Sequence, residues 1–251
     1  RYEQAVHLSV AAGDEIAVRD ASREFVIQPN LRQQMEAVHS IRRVMHDIEP
    51  ESAITLALDA SARYGDQGHP AVAVFERCAA AARLVDDHTL EALALHRVLQ
   101  SCWIDKVDAP PDTLGRLGEL AEVDSFARGA LAHANSTLLQ YQGRATEAMA
   151  VLDDYRYLGR GAEMVMRAER LCDLGRPEMV GSGLTPDDLA SLPAGAEIFV
   201  SFAMWLRGDA MPEFAEAFVA DMVPTVLRRG MAHVSVSLLG VATSIALPMR
   251  V

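Results

Sequence analysis

The sequence predicts an all-α fold in which antiparallel helix pairs stack into a right-handed solenoid. Apolar residues recur with the 3.6-residue spacing of an amphipathic helix along most of the chain. Gly, Pro and Asp interrupt these stretches at points where helices end or begin. Successive helix pairs start 36 or 37 residues apart, a spacing typical of helical repeats.

The predicted helices follow one another with short breaks. In 31–48, Met35, Val38, Ile41 and Met45 fall on one side, and charged residues occupy the other. The same pattern predicts helices over 2–12, 14–26, 51–64, 70–85, 88–103, 112–121, 125–142, 145–158, 161–174, 186–192, 195–207, 212–228 and 231–246.

Each repeat of about 37 residues holds two helices. One pair cannot bury its own apolar face, so neighbouring pairs are expected to stack. We expect a single domain over 1–251, with an irregular region at 176–194; a non-repetitive helical bundle is the alternative. The starts that define the repeat are Asp14, Pro50, Asp87, Asp124 and Gly161.

Composition excludes several classes of protein. Half of the residues are hydrophobic, which excludes a disordered chain, and a net charge of −12 excludes a broad nucleic-acid-binding surface. The three cysteines form no CxxC motif, so we expect reduced thiols and a cytoplasmic location. Because no HExxH or GxSxG motif occurs, we expect no cofactor, no metal and no catalytic residue. An enzyme would need a site assembled from scattered residues.

The segment 130–148 resembles a tetratricopeptide repeat. Gly143 lies five residues before the small Ala148, and Gly68 and Ala73 repeat this spacing. Glycine permits the tight turn between two helices, and alanine permits their close approach. The resemblance implies a right-handed stack of helix pairs with a concave groove.

A narrower resemblance concerns the large bacterial transcription regulators of the MalT/LuxR type. The Ala-rich phrases at 2–14 and 80–87 are similar to the divergent repeats of those proteins. There the repeats lie between an ATPase module and a DNA-binding helix-turn-helix. The resemblance implies a sensor or interaction domain, because the chain has no GxxxxGK[ST] loop and no basic recognition helix.

The tetratricopeptide resemblance also implies binding residues. Counting back from Gly143 places His133, Thr137 and Gln140 on the groove side, at helical positions i, i+4 and i+7. Three hydrogen-bonding side chains on one face could grip a peptide or a small polar ligand. An ordinary solvated helix face is the alternative.

Counting back from Gly208 in the same way places Ile198, Phe202 and Trp205 on the groove wall. Bulky apolar side chains there would form a pocket for a ligand or partner. Burial against the next repeat is the alternative, and it applies equally to Trp103.

We therefore expect a protein partner, a peptide or a small-molecule effector, with no direct nucleic-acid contact. An all-α enzyme or carrier with a central pocket, an assembly scaffold and a homo-oligomer stay open. The uncharged Met231–Met249 is a weak candidate for a membrane span, because its serines, glycine and proline favour burial as a last helix.

Overall fold

The computed structural model describes residues 1–28, 34–67, 71–105 and 107–152, together with the residues at 167, 170, 171, 174, 176 and 179. This part of the chain is helical and contains no strand, which confirms the all-α prediction. Its helices are α1 (Tyr2–Ala12), α2 (Glu15–Val26), α3 (Met35–Ile48), α4 (Ala53–Gln67), α5 (Val72–Leu84), α6 (His88–Asp105), α7 (Thr113–Val123), α8 (Ser125–Tyr141) and α9 (Ala145–Ala150).

Aspartates cap the N-termini of three even-numbered helices. The side chain of Asp14 accepts a hydrogen bond from the Ala17 amide at 3.0 Å and begins α2. Asp87 begins α6 in the same way, through the Leu90 amide at 3.0 Å. Asp124 begins α8. A carboxylate at this position satisfies an orphan N–H and suits the helix dipole, which explains these starts.

Glycines in the left-handed region end two helices. Gly13, with φ 71°, follows α1, and Gly143, with φ 74°, separates α8 from α9. The Gly143 amide donates to the Gln140 carbonyl oxygen at 2.9 Å. Only glycine adopts this backbone at little cost, so the turn assigned to Gly143 is confirmed.

The chain divides into two compact units, Arg1–Ala134 and Asn135–Val251, with α8 running across the boundary. In the first unit each helix from α1 to α7 packs against the next. Helices that are two positions apart in the chain also contact each other: α1 contacts α3, α2 contacts α4, and α4 contacts α6. The core is rich in alanine as well as in larger apolar side chains such as Phe25 and Ile41. Small side chains permit the close approach of helices.

In the second unit, the described residues include α9 and a few positions beyond it. Ala148, on α9, is fully buried, as expected for a contact alanine of a helix pair. Its counterpart Ala73 in the first unit is exposed on α5, so equal spacing does not give the two alanines equal surroundings.

None of the helices in the described ranges is long and apolar enough to cross a membrane. Met231–Met249 lies outside these ranges.

Candidate functional site

His133 forms a direct contact with His96, the residue 37 positions earlier. The Nε2 atom of His96 and the Nδ1 atom of His133 are 2.8 Å apart. The ring centroids are 4.6 Å apart and the rings are nearly perpendicular. His96 is 7% exposed and His133 is partly buried. The predicted site residue is therefore half of a histidine pair that joins α6 to α8.

Asp59 occupies the equivalent position one repeat earlier, on α4. Its Oδ1 atom accepts hydrogen bonds from Arg42 Nε at 2.5 Å and contacts His46 Nε2 at 2.8 Å. Ser22 lies another 37 residues earlier on α2, is fully buried, and its hydroxyl makes no hydrogen bond within the described residues. We call Ser22, Asp59, His96 and His133 the polar row.

The polar row is the feature that the sequence prediction missed, although its signal was available. The repeat spacing of 37 leads from His133 back to a polar residue on each even-numbered helix. Buried or half-buried polar groups need hydrogen-bond partners, so four of them at matching positions are costly to keep in a core. Their recurrence every 37 residues sets this position of the even-numbered helices apart from the apolar core.

The same spacing relates the other predicted residues to α6. Gln100 and Trp103 lie 37 positions before Thr137 and Gln140, and all four are partly buried. Gln100 Oε1 accepts a hydrogen bond from Arg97 at 2.7 Å. Trp103 packs against the hydrophobic core, which agrees with the alternative of burial rather than with an open groove position.

In the second unit, Thr137 lies near a buried arginine. Arg170, which is 1% exposed, donates from Nε to Ser136 Oγ at 3.0 Å and from Nη2 to Thr137 Oγ1 at 3.4 Å. Arg170 is again 37 positions after His133. Thr137 is thus engaged by a charged side chain, and Gln140 lies one turn further along α8. The predicted Ile198, Phe202 and Trp205 lie outside the described residues.

A salt bridge links the end of α2 to the start of α6. Arg23 holds Asp87 with two hydrogen bonds, Nε to Oδ2 at 2.6 Å and Nη2 to Oδ1 at 2.8 Å. Burial alone would raise the pKa of Asp87, but the Arg23 and Leu90 hydrogen bonds outweigh it and lower that pKa. Thr89 of α6 donates to Asp124 at the start of α8 at 2.8 Å, so this capping aspartate also connects two neighbouring helix pairs.

A buried carboxylate fixes α5, α6 and α7 together. Glu91 is fully buried and accepts from Arg83 Nε at 2.7 Å and from both Nε and Nη2 of Arg116 at 2.9 Å. Burial would raise the pKa of Glu91, but the Arg116 and Arg83 hydrogen bonds outweigh it and lower that pKa. The arginines are partly exposed, and this geometry is that of a structural clamp.

The described residues contain no cluster of three or more His, Cys, Asp or Glu side chains arranged to hold a metal ion. His96 and His133 converge, but two nitrogens alone do not make a structural site of the four-coordinate kind.

Comparison of the chain with protein-family models, curated proteins and solved structures finds no match in any of the three.

Proposed function

We propose that this chain is a peptide-binding module, a right-handed tetratricopeptide-like solenoid whose groove is lined by the partly buried members of the polar row, Asp59 and His133. The observation that carries the proposal is the row itself. Polar residues recur at the same position of α2, α4, α6 and α8, and two of them are in direct contact.

The arrangement of helices supports the solenoid. A stack of hairpins requires each helix to pack against the next and also against the helix two positions on. Both kinds of contact occur among α1 to α7. The left-handed Gly143 turn and the buried Ala148 are the features that the family resemblance requires of a hairpin.

The spacing of the row favours an extended peptide. Packed helices lie about 8–10 Å apart, which is the span of about three residues of extended chain. A peptide crossing α4, α6 and α8 would therefore meet one helix at every third residue. Gln100 and His133 would offer its backbone hydrogen bonds, and Trp103 would offer an apolar surface.

The biological setting that we propose is the sensor or interaction segment of a bacterial transcription regulator. It is supported by the resemblance of 2–14 and 80–87 to the repeats of MalT/LuxR-type proteins. The net charge of −12 disfavours DNA contact by the repeats themselves. Sequencing the native reading frame tests this setting: an ATPase module or a helix-turn-helix beside the repeats supports it, and a frame without either contradicts it.

The binding face is tested with a displayed library of random peptides of about 12 residues, long enough to cross three helices. Peptides selected on the wild type should bind Gln100→Ala at least about tenfold more weakly, a loss of about 1.4 kcal/mol. Gln142→Ala, an exposed glutamine in the turn after α8, is the matched control and should bind normally.

Selected peptides that bind both variants equally would contradict the proposed face. A library that yields no binder would contradict the peptide as ligand. If a metabolite then raised the melting temperature of the wild type but not of Gln100→Ala, the face would be retained and a small effector would replace the peptide.

A further inference from the structure

We infer that the His96–His133 pair is a proton-sensitive joint between α6 and α8. The two rings stay in contact while the pair carries no added proton or one added proton, and a second added proton separates them. The inference does not depend on what the polar row binds.

The chemistry of the contact dictates this limit. A neutral imidazole has one N–H donor and one acceptor nitrogen, so two neutral rings can share an N–H···N bond. One added proton leaves that bond in place and makes it charge-assisted. A second added proton turns both facing nitrogens, 2.8 Å apart, into donors on like-charged rings.

The burial of His96 links the protonation of the pair to the local structure around α6. His96 is 7% exposed and lies in a run of buried residues on α6, so a charged His96 ring that loses this contact reaches water only if its surroundings open. His133 is partly buried on α8. Separation of two protonated rings therefore requires local opening around the buried His96 ring, where α6 meets the first half of α8.

The charged groups on the packed elements are already engaged in other contacts. Asp59 of α4 is held by Arg42 and His46, and Arg83 of α5 and Arg116 of α7 both contact Glu91. Glu119 of α7 contacts Arg116, Arg97 of α6 contacts Gln100, and Arg128 of α8 contacts the Ala121 carbonyl.

The sign of the pH effect follows from proton counting. The unfolded pair binds two protons below the ordinary histidine pKa of about 6.5, whereas the closed pair binds one. Because the open state takes up more protons, closure of the joint weakens as the pH falls. The expected slope is about tenfold in the opening equilibrium for each pH unit.

The joint is tested by NMR on the full chain with ¹⁵N-labelled histidine rings, titrated downward from neutral pH. We expect a ring-to-ring NOE between His96 and His133 that survives uptake of one proton and disappears with the second. Loss of protection of α8 amides against hydrogen exchange should accompany the second step. Two independent one-proton titrations with a persistent NOE would overturn the inference, as would the absence of that NOE at neutral pH.

Two variants separate the joint from other histidines. His133→Gln keeps both a donor and an acceptor for the His96 ring but removes the second titratable ring, so α8 protection should lose its additional tenfold dependence per pH unit. His88→Gln, two turns earlier on α6, should behave like the wild type. If His133→Gln does not fold, His96→Gln provides the same comparison from the other ring. Equal pH dependence in the wild type and the folded pair variant would refute the joint.

Discussion

The clamp around Glu91 predicts that removing the arginine and removing the carboxylate lower the free energy of unfolding by different amounts. Arg116 supplies two of the three hydrogen bonds that Glu91 accepts, and Glu91 has no access to water. In Arg116→Gln the carboxylate stays buried with Arg83 alone. Breaking a buried pair so that one charge is left without its main partner costs about 3–5 kcal/mol.

Glu91→Gln leaves the two arginines without their carboxylate, but these charges are partly exposed, unlike that of Glu91. Arg116 and Arg83 are 31% and 55% exposed, so water can hydrate both guanidinium groups once the carboxylate is gone. The expected loss is about 1–3 kcal/mol, close to that of one or two charge-assisted hydrogen bonds. Arg116→Gln should therefore be the more destabilising variant by about 2 kcal/mol.

Urea unfolding followed by circular dichroism measures both variants. In the wild type, the lowered pKa of Glu91 contributes stability above the ordinary glutamate pKa of about 4.3, and this contribution is lost as the pH falls below it. In Arg116→Gln burial dominates and disfavours the ionised form, so the deficit relative to wild type should narrow at acidic pH. Glu91→Gln as costly as Arg116→Gln, or a deficit that widens on acidification, would refute the reasoning.

Three further outcomes are expected. Asp124→Ala removes the cap of α8 and the acceptor of Thr89, and should cost about 1–2 kcal/mol in urea unfolding; an unchanged midpoint would show that neither contact matters. Gly143→Ala should lower the free energy of unfolding by about 1 kcal/mol, because φ at this position is 74° although there is space for a Cβ. Gly118→Ala inside α7 should raise the free energy of unfolding by about 0.5–1 kcal/mol. Changes of the same sign in the two variants would contradict the backbone argument. Burial raises the pKa of the Cys78 thiol to about 12, with a smaller effect of the nearby carboxylate, so mass-mapped alkylation near neutral pH should be at least about 100-fold slower than in a free peptide, and fast labelling would contradict its burial.

The local features of the fold could be predicted from the sequence because their causes are local. Asp14 and Asp124 begin helices through contacts three residues away, and Gly143 needs only its own backbone freedom. Packing is different in kind. Ala148 is buried and Ala73 is exposed at the same spacing, because the residues that cover each alanine come from other helices.

The candidate site was predicted in part for the same reason. His133 was identified from its distance to a turn glycine, but its partner His96 lies on another helix and emerges only when the repeat spacing is applied to the site residue itself. The Arg23–Asp87 bridge spans 64 residues and joins helices two repeats apart. No local pattern encodes such a contact, since it depends on how the helix pairs stack.

We propose that the face bearing Asp59, Gln100 and His133 contacts the ligand. It is tested most directly by mapping amide chemical-shift changes in the full chain when a peptide selected on the wild type is added. We predict that the largest changes fall on α4, α6 and α8 around Asp59, Gln100 and His133. Changes confined to the exposed apolar residues Leu84, Val85 and Val123, at the ends of α5 and α7, would place the ligand elsewhere and contradict the claim.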